Sequence, residues 1–300
     1  MDIVVFGAGS LGSLLGGLLA RTHDVTLVGR DPHIARVRAG GLRVTGELEA
    51  RVSPDAVTDG RDLTADLAVV TVKSFDTAAA ADALATGSFD AVLSLQNGLT
   101  EEILADRLDA PVLAGTATYG ARLREPGHVA CTGVGEVALG ALAGGPSSLA
   151  ERVGKAFRDA DVETLVATDM PRRRWEKLAV NAGINAVTAL ARVENGALGD
   201  GDGDAAELAR AAARETARVA RAEGVRLPNR VARAALDDVV AATARNRSSM
   251  LQDVDSGRRT EVDAITGVVV DRADAHDLDV PTNRVLAGLL RAWESGRDLR

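Results

Sequence analysis

Three polar side chains recur at helical spacing within the otherwise apolar segment RWEKLAVNAGINAVTAL. Lys177, Asn181 and Asn185 are each four residues apart. At about 100° per residue they lie within about 80° of one another, as one polar stripe along a helix. Burying three such groups is costly unless they bind a ligand, which amides do by hydrogen bonding and an ammonium by donating a proton. The stripe predicts a binding or catalytic face, with a solvated helix surface as the alternative.

Lysine is rare in this chain. Of 35 lysines and arginines, only Lys73, Lys155 and Lys177 are lysines. A lysine kept against that bias suits a position that needs a compact ammonium able to lose its proton, which a guanidinium cannot do. Three examples also agree with chance.

A second polar set follows in the segment NRSSMLQDVDSGRRTEVDAITG. Ser249 and Asp253 are four residues apart on a predicted helix, and Glu261 stands at the start of the next one. Taken alone, Glu261 is typical of a negative charge at a helix N-terminus.

The segment GAGSLG follows an apolar strand and opens a helix. It consists of Gly7, Ala8, Gly9, Ser10, Leu11 and Gly12. Glycines at this spacing permit a tight turn and a close backbone approach to a pyrophosphate, which then faces the N–H groups of the helix N-terminus. The segment predicts dinucleotide binding, against the alternative of a plain glycine turn.

The next strand ends in VGRD, which bears on the choice of dinucleotide. An acidic residue here holds the ribose 2′-hydroxyl of NAD, whereas an arginine accommodates the 2′-phosphate of NADP. Arg30 therefore favours NADPH over NADH, although Asp31 becomes the ribose ligand if the strand runs one residue longer. Alternatively, Asp31 only caps a helix and Arg30 is a solvated surface charge.

Two more predicted strands end in TVKS and LQNG. Ligands of open α/β sheets bind outside the carboxyl ends of the strands, so Lys73 and Asn97 point to the same crevice. We expect Lys73 at the phosphate or nicotinamide side of the cofactor. Asn97, followed by flexible Gly98, is expected to present its amide to the cofactor and the reacting carbonyl. A surface lysine and a turn asparagine are the alternatives.

Alternating strands and helices must position these residues. Strands are predicted at 2–6, 23–28, 66–72 and 89–95. Apolar strands that alternate with helices indicate a parallel sheet covered on both faces. Between about 111 and 166, short strands are expected to extend the sheet in antiparallel orientation. From Asp169 onward strand signals vanish, and helices are predicted at 171–190, 205–223, 229–255, 261–275 and 282–295.

The predicted fold class is therefore α/β. A Rossmann-type, mostly parallel sheet domain at 1–168 is followed by an all-helical C-terminal domain at 169–300.

Composition argues against several classes of partner. A formal net charge of -8 repels phosphate backbones and anionic lipid, so neither nucleic acid nor membrane is expected. No apolar run approaches the roughly 20 residues of a membrane span, and the N-terminus lacks the basic start of a signal peptide. The single cysteine, Cys131, fits a reducing cytosol. A cytoplasmic protein acting on a small molecule is expected.

The acidic segment GDGDGD has part of the pattern of a calcium-binding loop. Asp200, Asp202 and Asp204 have the spacing that opens such a loop, but Ala205 replaces the required glycine and Ala211 the final glutamate. No metal site is predicted.

The motifs WEKLAVN, SSMLQD, TEVDAITG and VPTN, with the paired asparagines, stand in the order of the ketopantoate reductase pattern. The chain resembles that family over essentially its whole length. The resemblance implies a Rossmann domain and a helical domain with substrate and nicotinamide in the cleft between them. It also implies NADPH-dependent reduction of 2-dehydropantoate (ketopantoate) to (R)-pantoate for coenzyme A biosynthesis, and it allows a homodimer.

The resemblance also assigns roles. Lys177 would be the general acid, and Glu261 its partner or a ligand for a substrate hydroxyl. Substrate would be held by Asn97, Asn181, Asn185 and Ser249, and cofactor by Arg30 and Lys73. Hydride would reach the C2 carbonyl of a 2-keto acid while Lys177 supplies the proton and Asn97 polarises the carbonyl.

Three other functions stay open at this point. The chain could reduce a different small 2-keto acid, join one to an amine, or bind NADP as a sensor without reacting. Substrate contacts distinguish the first two. The presence of both Lys177 and Glu261 argues against the sensor.

Overall fold

The computed structural model describes residues 1–199, 201 and 203–300, so Asp200 and Asp202 of the acidic segment GDGDGD lie outside the described residues. The chain divides into two compact units. The first comprises Met1–Gln96 and Thr100–Met170, and the second comprises Asn97–Leu99 and Pro171–Arg300. The sequence placed the division at 168 and gave no sign that 97–99 group with the helical unit.

The strands of the first unit follow one another along the chain as short segments. They are β1 (Asp2–Phe6), β2 (Asp24–Val28), β3 (Leu42–Gly46), β4 (Ala50–Val52), β5 (Asp55–Val57), β6 (Thr64–Val70), β7 (Ser88–Ser94), β8 (Val112–Ala117), β9 (Gly120–Glu125), β10 (His128–Gly133), β11 (Val137–Ala141) and β12 (Thr164–Val166). Its helices are α1 (Ser10–Leu19), α2 (His33–Gly40), α3 (Thr77–Leu84), α4 (Glu101–Ala105) and α5 (Ser148–Asp159).

Most of these strands form one sheet in the order β12-β11-β8-β7-β6-β1-β2-β5. The strands from β8 through β7, β6 and β1 to β2 and β5 are parallel. Ile3, Val4 and Val5 of β1 are all buried, because helices cover both faces of a parallel sheet. This arrangement confirms the Rossmann-type α/β class.

The expected antiparallel extension is only partly right. β11 pairs with β8 in antiparallel orientation, but β12 is parallel to β11. β9 and β10 leave the main sheet and join a second one, ordered β4-β3-β10-β9. The second sheet packs on α1, where a Cβ at Gly17 would lie 2.9 Å from Val44 Cγ2. Its members β3 and β4 were missed because they are short and half exposed.

The second unit is helical in its described part, as predicted. Its helices are α6 (Met170–Ala191, whose first residue belongs to the first unit), α7 (Asp204–Ala222), α8 (Asn229–Ala242), α9 (Ser249–Asp255), α10 (Val268–Ala275) and α11 (Pro281–Ser295). A π-helical turn at Asp263–Gly267 leads into α10. The core is rich in alanine, including Ala179, Ala182 and Ala186 of α6, so the helices can pack closely.

The single helix predicted at 229–255 is wrong, since α8 and α9 are separate. Ser248 ends the interruption by capping α9, where its Oγ accepts a hydrogen bond from the Leu251 N–H at 3.1 Å. Asn246 O in the same interruption accepts from the Asn195 N–H at 3.0 Å. A serine side chain that bonds to the backbone in this way favours a helix cap over a helix interior. Of the described helices, none is both long enough and apolar enough to cross a membrane.

Candidate functional site

The carboxyl ends of the four central strands lie level with one another. In the parallel register Phe6 pairs with both Val28 and Val70, and Val70 pairs with Ser94. The order of strands reverses at β1, which has β2 on one side and β6 on the other. Such a reversal opens a crevice at the carboxyl edge, where dinucleotides bind in open α/β sheets.

The glycine segment lies at this edge and fits a pyrophosphate. Gly7 has φ +117°, and a Cβ there would lie 2.5 Å from the Val72 N atom. A Cβ at Gly12 would lie 2.2 Å from Gly7 O, so both positions exclude any side chain. Around a Cβ at Gly9 the nearest atom is Gly7 O at 4.0 Å, which leaves open space above the loop. Gly9 also starts α1 without a side-chain cap, so the helix N-terminus can face an anion.

Arg30 and Asp31 have different hydrogen-bond partners. Asp31 Oδ1 accepts a hydrogen bond from the Ala35 N–H at 2.9 Å, so this carboxylate caps α2. The Arg30 side chain is 86% exposed at the edge of the crevice. Its Nη2 donates to Asp76 Oδ2 at 2.9 Å. Arg30 is therefore available to an anion that approaches the end of β2.

Lys73 lies just beyond the end of β6. It is half-buried in extended conformation and precedes the 3₁₀ turn Ser74–Asp76. Its carbonyl oxygen accepts from the Asp76 N–H at 2.8 Å. This turn brings Asp76 back towards Arg30, so the loop after β6 and the end of β2 are joined by an ion pair.

In the second unit, the polar stripe runs along α6 from partly buried to buried positions. Lys177 and Asn181 are half-buried, and Asn185 is 5% exposed. The neighbours Leu178 and Ala182 belong to the core. The stripe is therefore not a solvated helix surface over its whole length.

Asn97 joins the stripe to Glu261 by hydrogen bonds. Asn97 Nδ2 donates to Glu261 Oε2 at 3.0 Å, and Asn97 Oδ1 accepts from Asn181 Nδ2 at 3.4 Å. Glu261 is 6% exposed. Three residues that are far apart in sequence thus form one connected polar group, with Lys177 one helical turn before Asn181.

Gly98 explains how Asn97 comes so close to Glu261. Gly98 has φ +88°, and a Cβ there would lie 2.5 Å from Ala264 O and 3.0 Å from Ala264 Cβ. Ala264 is part of the π-helical turn that follows Glu261, in which the Gly267 N–H bonds to Val262 O at 2.8 Å. Only a glycine permits this backbone approach, which brings residues 97–99 into the helical unit.

A buried carboxylate on α11 fixes the backbone just before Glu261. Glu294 is fully buried, and its Oε1 accepts from the Thr260 N–H at 2.7 Å and from Thr260 Oγ1 at 2.6 Å. Arg300 Nη1 donates to Glu294 Oε2 at 3.0 Å. Nothing in the sequence connected Glu294 with the candidate site, because its effect depends on a contact between distant segments.

The two adjacent serines of SSMLQD have different surroundings. Ser248 is buried and caps α9, and its Oγ also accepts from Thr188 Oγ1 of α6 at 2.7 Å. Ser249, the predicted substrate residue, is exposed at the first residue of α9. Asp253 is buried, and its Oδ1 accepts from Arg258 Nη2 at 3.1 Å. Ser248 therefore fixes where Ser249 stands, a role that sequence did not indicate.

Comparison with known proteins gives the family. The model of "Ketopantoate reductase PanE/ApbA" matches residues 3–144, and that of its C-terminal domain matches residues 169–294. The chain belongs to the ketopantoate reductase family. A 2-dehydropantoate 2-reductase of Halobacterium salinarum is 47% identical over 97% of this chain and 98% of its own length. One from Archaeoglobus fulgidus is 38% identical over 98% of each chain. Relatives of this name support ketopantoate reduction as the reaction.

Solved structures agree with the fold. A ketopantoate reductase from Ralstonia eutropha JMP134 superposes with a TM-score of 0.90 at 34% identity, covering 99% of this chain and 100% of that one. D-mandelate dehydrogenase with NADH and anilino(oxo)acetate has a TM-score of 0.91 over the full length of both chains. At 23% identity, that second likeness concerns the fold alone.

Proposed function

We propose that this protein reduces 2-dehydropantoate to (R)-pantoate with NADPH, and that Lys177 donates the proton to the developing alkoxide. The observation that carries the proposal is the hydrogen-bonded chain from Asn181 through Asn97 to Glu261, on the helix face that also holds Lys177. Amide, carboxylate and ammonium groups together can bind every polar part of a hydroxylated 2-keto acid.

Substrate recognition is assigned to the amides and the carboxylate. Because the Asn97 amide donates to Glu261 and accepts from Asn181, its orientation is fixed before substrate binds. A fixed dipole stabilises charge that develops on the carbonyl oxygen without first having to reorient. Glu261 accepts hydrogen bonds only, which suits the hydroxyl that distinguishes ketopantoate from simpler 2-keto acids. Asn185 and Ser249 complete the proposed substrate set.

Proton donation is assigned to Lys177. The reduced nicotinamide, when bound, supplies the hydride to the C2 carbonyl. The Lys177 ammonium carries a proton that it can transfer, whereas arginine holds its proton in all ordinary conditions. A positioned acid of this kind contributes about 10² to 10⁴ in rate.

Cofactor binding is assigned to the first unit. Gly7, Gly9 and Gly12 leave room for the pyrophosphate, and Lys73 lies at the same edge as the glycine loop. Arg30 is exposed while Asp31 is engaged in capping α2, which favours the 2′-phosphate of NADPH over the bare ribose of NADH. In this proposal, the pantoate that the enzyme makes is used for coenzyme A biosynthesis.

One assay tests substrate and cofactor together. The absorbance of NADPH is followed with ketopantoate, pyruvate, 2-ketoisovalerate and oxaloacetate as substrates, and the series is repeated with NADH. We expect the largest kcat/KM with ketopantoate. A larger value with a keto acid that lacks the hydroxyl would reject the role of Glu261 and the assigned substrate. If none of the four keto acids causes NADPH to be oxidised, the proposed reaction is rejected.

A further inference from the structure

The ion pair between Arg30 and Asp76 lies where the 2′-phosphate of NADPH is proposed to bind. Arg30 Nη2 donates to Asp76 Oδ2 at 2.9 Å, and the two side chains are 86% and 34% exposed. Both residues stand at the carboxyl edge of the sheet, one after β2 and one in the turn after β6. The guanidinium that would read the phosphate is thus already shared with a carboxylate of the same chain.

The Asp76 carboxylate is not needed to cap a helix. Asp76 ends the 3₁₀ turn Ser74–Asp76 and is the N-cap residue of α3, but its side chain makes no capping hydrogen bond. At the start of α2, by contrast, the Asp31 carboxylate accepts a hydrogen bond from the Ala35 N–H. Of these two acidic residues, Asp76 is therefore the one whose carboxylate is paired with Arg30.

We propose that Asp76 competes with the 2′-phosphate for Arg30 and so lowers the preference for NADPH over NADH. This inference rests on the proposed function. A 2′-phosphate placed on Arg30 meets a second anion on the same guanidinium, whereas a 2′-hydroxyl meets a carboxylate that can accept its hydrogen bond. Arginine has five N–H donors, so the phosphate still binds, but with a smaller advantage.

The size of the effect follows from the exposure of the pair. The attraction between two unit charges about 4 Å apart in water corresponds to about a fivefold change in affinity. Freeing Arg30 from Asp76 should therefore change the affinity for the 2′-phosphate by about that factor. We expect Asp76→Asn to tighten binding of NADPH about fivefold relative to NADH. Asp76→Glu, which keeps the charge, should retain the preference of the unaltered protein.

The experiment uses the full chain and ligand fragments, so that it does not depend on turnover. Calorimetry measures the Kd of adenosine 2′,5′-bisphosphate and of 5′-AMP, which differ only in the 2′-phosphate. Asp76→Asn should tighten the bisphosphate about fivefold and leave 5′-AMP unchanged or weaker. The matched control is Asp82→Asn on α3, which removes a carboxylate paired with Arg107 at 2.6 Å. It should change neither Kd.

Two further variants separate this inference from the proposed cofactor preference. If Arg30→Ala leaves the bisphosphate Kd unchanged, Arg30 does not read the phosphate, and both proposals are rejected. If Arg30→Ala weakens binding of the bisphosphate while Asp76→Asn does not tighten it, only the role of Asp76 is rejected. In the Arg30→Ala background, Asp76→Asn should lose its gain. If Asp76→Asn still tightens bisphosphate binding in the Arg30→Ala background, Asp76 does not act by competing for Arg30, and the inference is overturned.

Discussion

At the scale of single residues, the hydrogen-bond donors and acceptors of the candidate site can pair in only one way. Glu261 as a carboxylate only accepts, so the nitrogen of the Asn97 amide must face it, at 3.0 Å. The amide oxygen is then left for Asn181, whose nitrogen lies 3.4 Å away. One buried carboxylate therefore sets the orientation of two amides.

Lys177 supports the sharpest prediction at this scale. Changing Lys177 to Arg keeps the charge but enlarges the head group and removes a transferable proton. We expect kcat with ketopantoate to fall by about 10² or more, with little change in the Kd of NADPH measured by its fluorescence.

Lys155 provides the matched control for this change. It lies on α5 in the other unit, where its Nζ pairs with Asp159 Oδ2 at 2.5 Å on the surface. Lys155→Arg should leave kcat unchanged. Near-normal turnover in Lys177→Arg would mean that the proton comes from elsewhere, such as water held by the asparagines.

At the scale of elements, the turn after β7 decides where Asn97 stands. Gly98→Ala places a methyl group 2.5 Å from Ala264 O at a φ of +88°. The π-helical turn or the loop must shift, and a non-glycine residue in this region costs about 1 to 3 kcal/mol. We expect a loss of about 1 kcal/mol or more in the free energy of unfolding and a lower kcat/KM for ketopantoate.

Gly288→Ala is the control for that variant. Gly288 is exposed in α11, and a Cβ there would have no atom within 4 Å. This change should stabilise the helix by about 0.5 to 1 kcal/mol without altering kcat/KM. If Gly98→Ala behaves in the same way, the close approach does not position Asn97.

The start of α2 should make the first unit sensitive to acid. His33 is buried, its Nδ1 accepts from the Gly127 N–H at 3.1 Å, and its Nε2 lies 3.1 Å from Ser13 Oγ. Burial lowers the pKa of His33 below its ordinary value. The unfolded chain thus takes up the proton at a higher pH than the folded one. Stability from neutral His33 is complete above about pH 6.5 and is lost as pH falls towards the folded-state pKa.

Urea unfolding of the protein and of His33→Gln tests this effect. The free energy lost between about pH 7.5 and pH 5.5 should be larger for the unaltered protein, because only that protein carries the buried His33 imidazole, which takes up a proton when the chain unfolds. Equal losses in the two proteins would contradict the assignment to His33.

The elements also show how far sequence reasoning reaches. The strands that end at the crevice and the long helix α6 were predicted within about two residues, because apolar runs and helical periodicity are local signals. β3 is held by pairing with β10, and β4 by pairing with β3, in a sheet that packs on α1, and no local pattern records these contacts. Similarly, the residue types of the site were predictable, but the support of Thr260 by Glu294 was not.

At the scale of the whole molecule, the two units divide the work of the proposed reaction. The glycine loop, Arg30 and Lys73 lie in the first unit, and Lys177, Asn181 and Glu261 lie in the second. Asn97 follows a strand of the first unit but belongs to the second. Cofactor affinity and proton donation should therefore respond to different substitutions.

A double-variant cycle tests this division. Arg30→Ala should weaken NADPH binding, and Lys177→Arg should lower kcat at saturating NADPH. Because the two residues are assigned to different ligands, their free-energy effects on kcat/KM should add within about 0.5 kcal/mol. A larger coupling energy would show that nucleotide recognition and proton transfer depend on each other.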